Sequence, residues 1–304
     1  MTDVVVALPV ARRIGALVDE IAAVLADAGL AEARAEARDL VAVLLDVPRF
    51  WPSLHRDEPA GETLRTAALA AAAKRARGSP FAYAAGRAAF RHLTLEVDER
   101  VLIPRQETER LVELLLTLPA AGGGAGAGLA IDIGTGSGAI ALALATEGSF
   151  ERIIATDVSL DALVVARDNA DRLAGALRAP VEMRHGSFLA PVRTERARLI
   201  VSNPPYIALS EAPELPPAVR DWEPPIALFG GGDGMCAVRA IIADAAGVLE
   251  PGGVLALEVD ARRASLAAAA AAADGRYDEI RVLADLAGRE RYLMARARTT
   301  ARAH

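Results

Sequence analysis

The sequence predicts an α/β protein: a doubly wound, mostly parallel sheet of seven strands, preceded by a small helical domain. Three observations carry this. From residue 129 onward short apolar runs alternate with helical patterns, whereas residues 11–77 show helical spacing alone. A glycine loop, Asp132-Ile133-Gly134-Thr135-Gly136-Ser137-Gly138, directly follows the first of those runs. The length of 304 residues also favours two domains over one.

In the helical part, Ile14, Leu17, Val18, Ile21, Val24 and Leu25 recur every three or four residues, and Gly29 is placed to end that helix. A second helix is predicted from residue 31 to 45, stopped near Pro48, and an alanine-rich third from 62 to 77. Alternation of Leu93, Leu95 and Val97 predicts a strand or hairpin over 90–101. Next comes LIPRQETERLVELLLTL (102–118), read as an amphipathic helix with Glu107, Thr108 and Glu109 in its first turn. Leu111, Leu114 and Leu115 form its apolar face. The tract AAGGGAGAG (120–128) precedes a strand instead of following one, so it reads as a flexible linker, not a phosphate cradle. The seven strands are predicted at 129–133, 152–156, 181–185, 198–202, 253–259, 279–283 and 291–296. Helices are expected up to residue 145, over 160–173 and over 235–249. Buried strands alternating with helices imply a mostly parallel sheet. The division is thus 1–88 helical, 89–121 a connecting hairpin and helix, and 122–304 the sheet domain.

Composition excludes several classes. A hydrophobic fraction of 53% with 24% charged residues excludes intrinsic disorder. Net charge is −6, from 34 basic and 40 acidic residues, which argues against broad capture of nucleic acid. Lys74 is the single lysine, and the arginine and alanine bias reads as GC-rich coding. The lone cysteine, Cys236, excludes a disulfide scaffold and is expected to face the core of a helix. His55, His92, His185 and His304 are scattered without ligand spacing, so no metal is predicted. No apolar run reaches the ~18 residues of a membrane span. The stretch VVVALPV (4–10) is short, follows Asp3 and has its arginines on the wrong side for a signal peptide. A soluble cytoplasmic monomer is expected.

In the glycine loop, Gly134 and Gly136 allow a sharp turn and close approach of a ligand to the backbone. The spacing is G-x-G-x-G, not the G-x-G-x-x-G that seats a pyrophosphate, which points to a nucleoside ligand lacking one. Asp157 ends the second strand of the sheet, where a carboxylate can accept both ribose hydroxyls. Its competing reading is a helix cap or a solvated loop acid. Glycine loop plus acidic strand end resembles the class I (Rossmann-like) S-adenosylmethionine-dependent methyltransferases. That likeness implies a cofactor site built from Asp132, Gly134, Thr135, Gly136, Gly138 and Asp157, with Phe188 and Asn203 expected to complete it.

Asn203-Pro204-Pro205-Tyr206 follows the strand at 198–202. Asn203, placed before a proline, is held extended, and the two prolines make a stiff turn rich in acceptors. The Asn203 side-chain oxygen and the Pro204 carbonyl are positioned to accept both hydrogens of one NH₂ group, and Tyr206 offers a stacking face. An amide nitrogen is a poor nucleophile, so directed acceptors that orient it toward a sulfonium methyl are the chemistry to expect. The motif does not distinguish glutamine from adenine or cytosine.

Combined with Leu102-Ile103-Pro104-Arg105 and Glu107-Thr108-Glu109, these residues resemble the HemK family, the protein-(glutamine-N5) methyltransferases of class 1 peptide-chain release factors. Glu223-Pro224, Ala227-Leu228, Gly231-Gly232-Asp233-Gly234 and Asp285-Leu286-Ala287-Gly288 extend the likeness along most of the chain, as do Pro80, Tyr83, Gly86 and Phe90. The resemblance implies a glutamine substrate in a Gly-Gly-Gln loop. It also implies catalysis at Asn203, Pro204 and Tyr206, with Pro205 and Arg105 adding substrate contacts, and a helical domain that recognises the protein partner. Two positions depart from the family pattern. Ser187 stands where an acid usually meets the adenine amino group, leaving Phe188 as the stacking partner, and Gln106 replaces a proline. Arg105 is open to two readings, a gate or a structural ion pair. Rival functions are methylation of a ribosomal-protein glutamine, a DNA or RNA amino-methyltransferase that flips its base, and a silent cofactor-binding module.

Overall fold

The computed structural model describes residues 12–118 and 128–299; the VVVALPV stretch, the linker residues 120–127 and His304 lie outside them. The chain divides into two compact units, Met1–Arg87 and Ala88–His304.

The first unit is helical. It holds α1 (Ile14–Asp27), α2 (Ala33–Leu45), α3 (Trp51–Leu54), α4 (Glu62–Ala76) and α5 (Phe81–Ala85). The spaced apolar residues of α1, among them Leu17, Ile21 and Leu25, are buried with Leu40 and Val41 of α2 and the alanine face Ala68, Ala71 and Ala72 of α4. Small residues on α4 leave room for the larger side chains of its neighbours.

After a two-stranded hairpin, β1 (Arg87–Phe90) with β2 (Leu93–Glu96), comes α6 (Gln106–Thr117). Phe90, Leu93, Leu95, Leu111, Val112 and Leu115 share one apolar cluster with the sheet and with α7 (Ala139–Glu147). The described part of the segment at 89–121, residues 89–118, is therefore built into the second unit and does not stand apart as a connector. The reason lies in its alternation: each inward leucine finds a partner on the sheet's covering layer.

The sheet has seven strands in the order β5-β4-β3-β6-β7-β9-β8. These are β3 (Leu129–Ile133), β4 (Arg152–Asp157), β5 (Val181–His185), β6 (Ala197–Ser202), β7 (Leu249–Glu258), β8 (Tyr277–Ala284) and β9 (Glu290–Ala297). Neighbours from β5 to β7 pair in parallel, and β9 runs antiparallel to both β7 and β8. All of β3 is buried, as expected of an inner strand covered on both faces. Helix α7 is buried from Ala139 to Ala145, which explains its apolar sequence on every side. Covering helices α8 (Leu160–Arg172), α11 (Cys236–Ala245) and α12 (Ala264–Asp274) follow, with short turns α9 (Pro217–Arg220) and α10 (Pro225–Leu228) before α11. Among the described residues no helix is long and apolar enough to cross a membrane.

Strand order reverses between β3 and β6, which places a ligand crevice beyond their carboxyl ends. Register does the rest. Ile133 pairs with both Thr156 and Ser202, and Ser202 with Leu257. The next residues along the chain, Gly134, Asp157, Asn203 and Glu258, are thereby gathered at one edge of the sheet.

Candidate active site

The glycine loop is held from three sides. Gly134 and Thr135 donate backbone N–H groups to the Thr156 carbonyl at 2.8 and 2.9 Å. Gly136 donates to Asp157 Oδ2 at 2.9 Å, while Asp157 Oδ1 accepts from Ser159 N at 2.9 Å. Buried Asn169 of α8 donates to the Ser137 carbonyl and to the Glu96 carbonyl, both at 3.0 Å, and accepts from Glu96 N at 2.7 Å. That single amide ties the hairpin to the loop. Gly134 and Gly136 have φ of +70° and +56°, and a Cβ built on either meets nothing within 4 Å.

The loop forms one wall of a cavity of about 360 Å³. Gly134, Thr135, Gly136, Asp157, Phe188, Asn203, Pro205 and Arg105 all line it, as does Ser187. Phe188 sits at φ +45°, and its carbonyl accepts from Thr156 Oγ1 at 3.3 Å. A second cavity of about 200 Å³ adjoins, lined by Pro204, Tyr206, Ile207, Leu215, Val219 and Leu228. Leu102, Arg105, Asn203 and Ala227 border both cavities. Asn203 therefore stands at the junction of a nucleoside-sized pocket and a smaller apolar one.

Some expected site residues stand elsewhere. Asp132 is wholly buried beneath the loop, and neither it nor Gly138 lines the cavity. Asp132 Oδ2 accepts from Thr135 Oγ1 at 2.6 Å and from Ala141 N at 3.2 Å, so this carboxyl braces the loop against the first turn of α7. Cys236 is exposed, against the expectation of a core position. It opens α11 at the cavity wall, one residue ahead of the buried stripe Ala237, Val238, Ile241, Ile242 and Ala245.

Arg105 forms an ion pair: its Nη2 donates to both oxygens of buried Glu223, at 2.7 and 2.5 Å. The pair ties the loop before α6 to the turn carrying α10. Burial still holds the Glu223 carboxyl above its ordinary range despite this cation. The Asn-Pro-Pro-Tyr turn is stitched to the same region, with Ile207 N donating to the Leu228 carbonyl at 3.0 Å and Gly230 N to the Ile207 carbonyl at 2.9 Å. Tyr206 is largely buried, which raises its phenol well above the usual range.

Three side chains were not legible as site residues from sequence. Glu223 is one. The others are Thr108 and Glu258: Asn203 Nδ2 donates to Thr108 Oγ1 at 3.0 Å, and Thr108 Oγ1 donates to Glu258 Oε2 at 2.7 Å. The available signal was weak, an acid closing a buried strand and a threonine between two glutamates at a helix start.

Burial pushes Asp132 up to about 7, against the hydrogen bonds from Thr135 and Ala141 that lower it. The folded chain thus keeps a proton that the unfolded chain releases near pH ~4, so stability should fall as pH rises from there through about 7. Glu258, pushed up to about 7 by burial, acts in the same direction. Asp132→Asn should flatten part of that slope in melting curves recorded from pH 4 to 8. An unchanged slope would show that the carboxyl titrates alike in both states.

Fold and site together define a Rossmann-like methyltransferase, and residues 110–214 match the methyltransferase small domain family. Residues 16–86 match the PrmC N-terminal domain family. The chain belongs to the release factor glutamine methyltransferases. The enzyme so named from Cereibacter sphaeroides is 40% identical over 272 residues, covering 90% of this chain and 94% of its own. Its namesake from Mycolicibacterium smegmatis is 39% identical over 288 residues, 93% of this chain and 97% of its own. That of Moorella thermoacetica is 41% identical over 222 residues, covering 73% and 76%.

Proposed function

We propose that this protein methylates the side-chain amide nitrogen of a glutamine in a class 1 peptide-chain release factor, within its Gly-Gly-Gln loop, using S-adenosylmethionine. The observation that carries this is Asn203 at the junction of two cavities, its amide N–H taken by Thr108 and its Oδ1 left as an acceptor. Membership of the family supports the choice of glutamine over a nucleobase.

The larger cavity fits the cofactor. Gly134 and Gly136 leave open space where a Cβ would project, Asp157 offers carboxylate oxygens at its edge, and Phe188 and Ser187 border the same space. Asp132 and Gly138 shape the loop from behind. Held by these residues, S-adenosylmethionine would supply a sulfonium methyl for the amide nitrogen, a C–N bond replacing the C–S bond and the amide giving up one proton. Asn203 Oδ1 and the Pro204 carbonyl accept the amide hydrogens, which orients the nitrogen and stabilises the positive charge developing on it. Pro205 and Tyr206 complete the turn, and Arg105, fixed by Glu223, borders the path to it. The helical unit is the part that recognises the protein substrate. The reading entails a cytoplasmic enzyme, active as a monomer and without stable nucleic-acid binding.

Labelled cofactor offered with purified release factor, with release factor whose Gly-Gly-Gln glutamine is alanine, with ribosomal proteins and with RNA tests the substrate. Label on the intact release factor alone is expected. Label on a ribosomal protein or on RNA would overturn the assignment.

Asp157→Ala should weaken cofactor binding by roughly 1.5–3 kcal/mol, because a charged acceptor and the brace on Gly136 are both lost. Titration calorimetry showing wild-type affinity would remove Asp157 from the site.

A further inference from the structure

We infer that Thr108 and Glu258 set the polarity of the Asn203 side chain, making them positioning residues for methyl transfer; this deepens the proposed amide-binding role of Asn203 and rests on it. An asparagine side chain is nearly symmetric in shape but not in chemistry. One end accepts hydrogen bonds and the other donates them. If the ends exchanged, Asn203 would present an NH₂ group to the substrate's NH₂ group, donor against donor.

The structure contains a device that decides between the two. A threonine hydroxyl has a single proton to give. Here that proton goes to Glu258 Oε2 at 2.7 Å, so Thr108 Oγ1 can only accept on its other side. The group it accepts from is Asn203 Nδ2, at 3.0 Å. A carboxylate at one end of the chain therefore dictates which end of the amide faces the cleft at the other. Thr108 and Glu258 are 4% and 1% exposed, so the bond between them is shielded from water, while Asn203 is half-buried at the cavity wall. The three residues come from the start of α6, the residue after β6 and the end of β7; the β6–β7 register sets Asn203 beside Glu258, and the packing of α6 against the sheet brings in Thr108.

Direction along the chain depends on the charge of Glu258. Ionised, it only accepts; protonated, it can donate to Thr108, whose own proton is then released toward Asn203 Oδ1. Burial pushes Glu258 up to about 7, with Arg291 and Arg105 favouring the charged form and Glu107 opposing it. Tyr206 and Tyr292 also feel its charge. Transfer should accordingly slow as pH falls through this range, as Asn203 loses its fixed orientation.

The test compares Thr108→Val, Thr108→Ser and Glu258→Gln in the full chain, with purified class 1 release factor as substrate. Single-turnover methyl transfer at saturating cofactor is measured from pH 5.5 to 9, beside cofactor affinity by calorimetry and exchange of the Asn203 side-chain NH₂ by NMR. Thr108→Val should slow transfer on the order of 10–10² fold while cofactor affinity holds, since a misoriented reacting group costs rate before it costs binding. Thr108→Ser should restore most of the rate. Glu258→Gln should remove the acid limb of the profile, and Asn203 NH₂ exchange should accelerate in Thr108→Val without substrate present. Wild-type rates and exchange in Thr108→Val, or an acid limb retained in Glu258→Gln, would overturn the inference. If Thr108→Val does not fold, Glu258→Gln and the serine variant decide it by the same criteria. Asn203→Ala run alongside separates the two levels: if it too is fully active, the amide-binding reading itself fails.

Discussion

Asn203→Ala is expected to lower single-turnover methyl transfer by about 10²–10³ fold, the loss typical when a preorganised group that stabilises developing charge is removed. Cofactor affinity should change little, because the larger cavity keeps its glycine loop and Asp157. The alanine loses both ends of the amide at once: the acceptor facing the cleft and the N–H that bonds Thr108. Nothing then holds the substrate amide against rotation, and one of its hydrogens goes unpaired beside apolar Leu102 and Ala227. Asn203→Asp should fall between the two extremes. It retains an acceptor but brings a second carboxylate to Thr108, whose single proton cannot serve both it and Glu258. Single-turnover measurement at saturating cofactor separates chemistry from binding. Near-normal rates in Asn203→Ala would refute the amide clamp while leaving the fold and family untouched.

The parts of this site legible in the sequence are those encoded locally. Gly134, Gly136 and Asp157 each follow or close a strand, and a parallel sheet delivers strand ends to one edge whatever the intervening helices do. Asn203 is legible for the same reason, through Pro204 and Pro205 directly after β6. Pairings between residues far apart along the chain are hidden. Thr108 and Glu258 are 150 positions apart, and Arg105 and Glu223 are 118 apart. Neither pairing has a spacing that local pattern can report. Glu107 and Glu109 drew notice as first-turn charges, while the threonine between them carries the contact to Asn203.

Two misplacements have a common physical origin. Opening the glycine motif marks Asp132 as a cofactor-site residue, yet its place within β3 directs it beneath the loop, where Thr135 and Ala141 take one of its oxygens. The lone Cys236 is expected in the core, yet it is the first residue of its helix, exposed and preceding the buried stripe. In both cases residue type was informative, and the phase of one element against the next decided which way the side chain faced.

Gly136→Val tests that phase argument where it bears on the cofactor. At φ +56° the backbone lies in the left-handed region, where an L side chain costs roughly 1–2 kcal/mol, more when branched at Cβ. The fold should absorb this cost, because the built Cβ meets no protein atom within 4 Å. A modest drop in melting temperature is expected. The larger effect falls on the ligand: the space the valine enters borders the cavity lined by Asp157 and Phe188, and overfilling a fitted space costs roughly 1–3 kcal/mol. The side chain also strains the Gly136 N–H bond to Asp157 Oδ2, disturbing the acceptor proposed for the ribose. Cofactor affinity should therefore fall by about 10–10² fold, the overfilling cost converted at ~1.4 kcal/mol per tenfold. Gly136→Ala should fall between wild type and valine, since it shares the backbone strain but fills less of the cavity. Calorimetry and melting curves on the same samples separate the two contributions. A valine variant that melts lower yet binds S-adenosylmethionine as wild type does would show that the loop backbone does not approach the cofactor, and the proposed site would have to move.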